Sequence, residues 1–160
     1  SETITLADEI IFLDNYLDLE QLRFVDLIVV QIEIADSLRS SPLHVPPLLI
    51  QPLLENAFKH GLFHQSERGI LRLSIQQKAQ YLEVIVEDNG IGRKKAAEIS
   101  KKQKRKEGHS GNGVTQERIE LINNKSPNGR PKISLKTIDL FDENQEPCGT
   151  ACKLRIHFFD

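Results

Sequence analysis

The sequence has no run near the ~20 consecutive apolar residues that a membrane-crossing helix requires. Its first residues, Ser1 to Asp8, are polar and acidic, unlike a secretory leader. Neither sign of charge dominates: 21 Lys and Arg stand against 23 Asp and Glu, for a formal net charge of −2. That balance argues against a general nucleic-acid binder. Cysteine is scarce, and Cys148 and Cys152 form neither a C-x-x-C pair nor a Cys/His set, so two unpaired thiols are expected rather than zinc or redox chemistry. There is no Gly-Lys-[Ser/Thr], which excludes a P-loop. Lys95 stands where a dinucleotide fingerprint needs its third glycine. Internal repeats are missing too.

What remains is one ordinary domain of 160 residues, large enough for a sizeable core. It lacks an initiating Met and runs almost at once into a helix pattern, which predicts a piece of a longer protein whose membrane anchor, if any, lies elsewhere. Leu6, Ile10, Leu13 and Leu17 follow a 4-3-4 spacing, with Phe24 in the same frame, predicting a helix over 5–23 with Thr3 or Thr5 as cap. Asp8, Glu9, Asp14, Asp18 and Glu20 are assigned to its other faces. Ile11, Leu19 and Leu22 give it a second apolar face, so packing on its own domain and ending a dimerising stalk are equally open.

Ile28, Val30, Ile32 and Ile34 alternate as in a strand with one buried face. Pro46-Pro47 pre-set a helix start, predicting a helix over 48–62 with Pro52 near its beginning and Gly61 ending it. Leu71, Leu73, Ile75 and then Leu82, Val84, Val86 predict two strands joined by a turn at 78–80. After a polar, basic stretch containing Lys101, Lys102, Lys104, Arg105 and Lys106 comes a helix marked by Val114, Arg118, Leu121 and Ile122. Strands over 132–138 and 150–158 follow. About five strands and three helices, with hairpins interrupted by helices, give an α+β class: a two-layer α/β sandwich, its mixed sheet covered by helices on one face.

Three clusters break the pattern of their elements. Asn56, Lys59 and His60 sit at i, i+3 and i+4 beside Glu55 in an apolar helix; they suit a Mg²⁺–polyphosphate complex or a merely exposed face. Asp88-Asn89-Gly90-Ile91-Gly92 ends an apolar strand. Its carboxylate could accept from an exocyclic amine such as adenine's while the glycines let backbone approach, or it could be a tight turn. Gly108-x-x-Gly111-x-Gly113 opens a helix whose backbone N–H groups form an anion site.

In this order and spacing the clusters resemble the N, G1 and G2 boxes of the GHKL ATPase superfamily. Phe12-Leu13-x-Asn15-Tyr16-Leu17-x-Leu19-Glu20-Gln21-x-Arg23-Phe24 and the run from Val45-Pro46-Pro47-Leu48 to Glu55-Asn56 resemble LytS/YehU-type sensor histidine kinases over nearly the whole chain. The resemblance implies a Bergerat (GHKL) ATPase fold with mostly antiparallel sheet plus an N-terminal helix. It divides the chain into 1–24, the end of a dimerisation and phosphoacceptor region without the acceptor histidine, and 25–160, an ATP-binding catalytic domain with a lid over 93–110.

It implies that Asn56 ligates Mg²⁺, Glu55 supports the metal or its water, Lys59 touches phosphate and His60 shapes that site. Asp88 would take the adenine amine, Gly90 and Gly92 would allow the approach, Gly111 and Gly113 would line the phosphates, and Thr150 of Gly149-Thr150 would lie near adenine. Two departures are visible. Asn112 interrupts the small-residue run of the G2 box, and the helix after it reads Val-Thr-Gln-Glu-Arg-Ile-Glu-Leu, with Arg118 at the approximate place of the family's arginine. None of the five histidines lies in an acceptor context.

The implied function is two-component signalling: a protein histidine kinase that binds ATP and Mg²⁺ and transfers the γ-phosphoryl to a histidine for relay to a response regulator of LytTR type. The parent would be a homodimer anchored in the bacterial inner membrane with this domain in the cytoplasm, touching its own phosphoacceptor helices and no nucleic acid directly. Another GHKL ATPase, an anti-sigma-type serine kinase, or a degenerate docking domain are the alternatives.

Overall fold

The computed structural model describes residues 3–62, 68–103, 111–126 and 132–158. The first helix, α1 (Leu6–Arg23), is capped by Thr5, whose hydroxyl accepts the Asp8 N–H at 3.2 Å. The 4-3-4 stripe is its buried face: Leu6, Ile10, Leu13 and Leu17 are at most 1 % exposed. Ile11, Leu19 and Leu22 on the second apolar face are exposed. Glu9, expected with the solvent-facing carboxylates, is instead buried at 3 % exposure, because it caps a backbone amide across the domain.

A two-residue ladder, β1 (Ile4–Thr5) with β3 (His44–Val45), ties the start of α1 to the segment before the second helix. The main sheet contains β2 (Ile28–Ile34), β4 (Gly69–Gln77), β5 (Tyr81–Asp88), β6 (Ile133–Phe141) and β7 (Pro147–His157), in the order β2-β4-β5-β7-β6. Among the described residues only β2–β4 is parallel; the other pairings are antiparallel. The expected α+β sandwich with a mixed, mostly antiparallel sheet is therefore the architecture found. The Lys78 N–H reaches the Tyr81 carbonyl at 2.8 Å in the predicted hairpin turn.

Strand alternation decides which face is covered. Leu71, Leu73 and Ile75 of β4, Leu82, Val84 and Val86 of β5, and Leu154 and Ile156 of β7 join the stripe of α1 in one core. The opposite face carries Arg72, paired with Glu87 at 3.2 Å, and Arg155, paired with Glu83 at 3.2 Å. At the edge of the sheet β2 differs from expectation: only Ile28 is buried and Ile32 is exposed, since among the described residues no strand flanks β2 on its outer side.

Two helix readings are corrected. The helix expected over 48–62 is α2 (Gln51–Asn56) followed by a π-turn, Ala57–Gly61, and helical backbone persists to Leu62 rather than stopping at Gly61. Leu48 cannot begin it, because its φ is +61°. The stretch after β5, given no helix from sequence, begins as α3 (Arg93–Gln103), with Ala96 buried against the domain. The rest of the expected lid, 104–110, lies outside the described residues, as do His64 and His109. A fourth helix, α4 (Gly111–Asn124), packs on α2 and β6, so the described residues contain four α-helices where three were expected.

Removing the Leu13 side chain should leave a void where α1 meets the core. Leu13→Ala is expected to lower unfolding stability by about 3 kcal/mol, whereas Ile11→Ala on the exposed face changes it by less than about 0.5 kcal/mol. Urea denaturation followed by circular dichroism separates the two.

Candidate active site

The site grows from the end of β5. Its inward side chains run Leu82, Val84, Val86 and then, in the same alternation, Asp88, so a carboxylate occupies a core position and is 6 % exposed. Register carries the row on: Asp88 lies opposite Thr150 of β7, which lies opposite Asp139 of β6. The Asp88 Oδ1 accepts the Gly90 N–H at 2.8 Å, and the Thr150 N–H also donates to the carboxylate. Burial, with the neighbouring Glu87 charge adding to it, pushes Asp88 up to about 6 despite those two donors.

Two glycines are required here on steric grounds. Gly149 has φ +142°, and a Cβ on it would overlap the Asp88 carbonyl oxygen. Gly92 has φ +85°, and its Cβ would meet Pro147 at 3.0 Å. The expected pair Gly149-Thr150 is thus where β7 closes on the turn after Asp88. Arg93 starts α3 and forks onto Asp139 at 2.7 and 2.9 Å, rooting that helix on β6 and holding Asp139 below the usual carboxylate range. Neither residue was singled out by sequence. They lie 46 positions apart, and only the β6–β7 register brings them together.

Above the row lies the polar helix. Pro52 falls in the first turn of α2, Leu53 and Leu54 are buried, and the π-turn that follows Asn56 packs against β5, β7 and α3. A π-turn shifts the register of the residues after it, a common device at functional sites. Asn56 is half-buried. Glu55, which accepts from Gln51 Nε2 at 3.1 Å, and Lys59 are exposed. Gly111 and Gly113 fall in the first turn of α4, and α4 rests on α2. The elements that bear Asn56, Asp88, Gly90, Gly92, Thr150, Gly111 and Gly113 are therefore neighbours on the helix-covered face. His60 stands in the π-turn.

Cys148 and Cys152 are unpaired, as expected, and burial pushes the Cys152 thiol up, so it stays protonated at neutral pH. Among the described residues no group of three or more His, Cys, Asp or Glu could hold a metal ion. No helix of the described residues is long and apolar enough to cross a membrane. An open groove of about 560 Å³, lined by Glu33, Ile34, Leu38 and Gln77 among others, lies at the opposite end of β4 from the Asp88 row.

The fold is one already known. The chain superposes on the catalytic domain of the histidine kinase ThkA with a TM-score of 0.58, at 16 % identity, covering 98 % of this chain and 94 % of that one. No family model matches. Sequence relatives narrow the class. The chain is 38 % identical over 89 residues to the sensor histidine kinase BtsS of Escherichia coli K12, covering 56 % of this chain and 16 % of that protein. It is 33 % identical over 113 residues to the sensor protein LytS of Oceanobacillus iheyensis, covering 69 % and 19 %. The chain is a homologue of LytS-type sensor histidine kinases and has the fold of a histidine-kinase catalytic domain. The matched region spans less than a fifth of the length of these curated relatives.

The raised Asp88 fixes a pH dependence. An acid whose folded pKa of about 6 exceeds its ordinary 3.8 holds a proton that the unfolded chain has already released between those values. Stability should therefore fall as pH rises from about 4 to 6 and level off above, a loss on the order of 3 kcal/mol by pH 7. Asp88→Asn should recover about 1–3 kcal/mol at pH 7 and add nothing below pH 4. Denaturant midpoints across that pH range test it.

Proposed function

We propose that this domain binds Mg²⁺·ATP over the Asp88 row and that, in its full-length sensor kinase, the γ-phosphoryl passes to a histidine and on to a response regulator. The observation that carries the reading is Asp88: a desolvated carboxylate whose two backbone donors leave acceptor capacity for a further N–H group. An adenine exocyclic amine supplies such a donor, and Thr150 stands beside it in register. Desolvation sharpens the choice, because a base lacking that amine leaves the carboxylate without its third donor.

The donor set also fits the metal expected. Mg²⁺ keeps several waters and is bound through one or two protein oxygens plus substrate phosphates, so a single amide oxygen suits a cation that arrives with the nucleotide. Asn56 would offer it an amide oxygen and Glu55 would hold its water. Lys59 would meet phosphate oxygens, His60 would help shape that site, and Gly111 and Gly113 would present backbone N–H groups at the start of α4. When bound, the metal neutralises phosphate charge; this chain's own part is to position and to exclude water. Residues 93–110 would serve as the lid, with Arg93–Asp139 fixing its root.

The same reading divides the chain into 1–24, continuing a helical phosphoacceptor region, and 25–160 as the catalytic domain. It places the parent protein, as a homodimer, at the bacterial inner membrane with this part in the cytoplasm, and names a LytTR-type regulator as partner. Calorimetry with Mg²⁺ and a non-hydrolysable ATP analogue should give saturable binding, with the GTP counterpart much weaker. Asp88→Asn should weaken the ATP analogue by about 10- to 100-fold, and Asn56→Ala should remove the gain in affinity from Mg²⁺. Equal affinity for both nucleotides, undisturbed by Asp88→Asn, would refute the assignment.

A further inference from the structure

Leu48 is an apolar residue with left-handed backbone, φ +61°, and its side chain is 58 % exposed, so burial of that side chain does not hold it there. L-residues keep this conformation where neighbours over-determine it. Two do. The buried Glu9 carboxylate of α1 accepts the Leu48 N–H, and Arg118 Nη1 of α4 donates to the Leu48 carbonyl at 2.7 Å. One residue is thus gripped through its N–H by the helix that enters the domain and through its carbonyl by the helix that starts at Gly111 and Gly113. Leu48 stands just ahead of α2, which carries Asn56.

On the far side of α2 the same first helix holds on again. Phe58 of the π-turn is 2 % exposed and meets Tyr16 edge-on at 6.3 Å and Phe24 stacked at 6.0 Å. The Asn56 segment is therefore flanked on both ends by contacts to α1 or its C-cap. Stability alone accounts poorly for Glu9, since Leu6, Ile10, Leu13 and Leu17 already anchor α1 and an apolar residue at position 9 would avoid desolvating a carboxylate. What Glu9 adds is a directional contact to one backbone amide.

We propose that Glu9 and Arg118 are positioning residues that clasp Leu48 and thereby set α2 against α4, coupling the seating of α1 to nucleotide affinity. This rests on the Mg²⁺·ATP reading above. The phosphates would bridge Asn56 on α2 and the glycines of α4, so the spacing the clasp sets is the spacing the phosphates need. Coupling is reciprocal: bound nucleotide must tighten the docking of α1 as much as a docked α1 tightens the nucleotide.

The test is calorimetry on this chain with Mg²⁺ and a non-hydrolysable ATP analogue. Glu9→Leu and Arg118→Met should each weaken affinity about tenfold, and the double variant should also lose about tenfold rather than a hundredfold, since either break opens the same clasp. Glu9→Gln keeps an acceptor and Arg118→Lys keeps a charged donor, so both should retain most of the affinity that Glu9→Leu and Arg118→Met lose. Independently of any variant, the analogue should slow amide exchange in α1 of the wild-type chain. Folded variants that bind as the parent does, a hundredfold loss in the double variant, or no slowing in α1 would each overturn the clasp while leaving nucleotide binding intact. A wild-type chain that binds no nucleotide would overturn both.

Discussion

A carboxylate held away from water at the end of β5 organises the interior. In the register that places Val84 and Val86 in the core, Asp88 is nearly removed from solvent, and a buried acceptor must find donors or stay protonated. The sheet supplies two from its own backbone, Gly90 by a tight turn and Thr150 across the ladder. The Gly90 turn depends on β7 coming close enough that no side chain fits at position 149. One polar group in an apolar row thus dictates a turn, a glycine and a strand register.

Around that row the helices are placed by few contacts of clear chemistry. Arg93 forks onto Asp139 to root α3, though both groups are half-exposed and the pair stabilises only modestly. Phe58 locks the π-turn between Tyr16 and Phe24. Asn123 pairs both its amide atoms with the Ile133 backbone at 2.9 Å, which seats the end of α4 on β6. The helical layer is thus attached at several separate points, while the sheet beneath is continuous.

Much of this was readable from the chain. The period-two runs of β4, β5 and β7 and the 4-3-4 stripe of α1 are strong because one face of each is fully buried. Asp88 is legible as a carboxylate out of keeping with its apolar strand, while Gly149 and Thr150 stand out only through the family resemblance. What could not be read depends on distance in sequence. Leu48 looks like the first turn of a helix and is not, because Glu9 and Arg118 arrive from 39 residues before and 70 after. Glu9 looks like a surface carboxylate for the same reason. The segment that forms α3 offers few apolar residues beyond Ala96, Ala97 and Ile99, too thin a stripe to separate from a basic loop. Strand β2 alternates properly yet hides little, since alternation does not say which strand lies at an edge.

The single parallel pairing has a further consequence. An antiparallel neighbour can be reached by a short reversal, and β5 follows β4 in that way. Strand β2 finds β4 only after the intervening chain, including the whole of α2 and its π-turn, has arched across the sheet. Closing so long a loop is entropically costly before any contact repays it. The crossover that bears Asn56 is therefore tied at both ends by the ladder between β2 and β4, so the placing of Asn56 depends on a strand at the edge of the sheet.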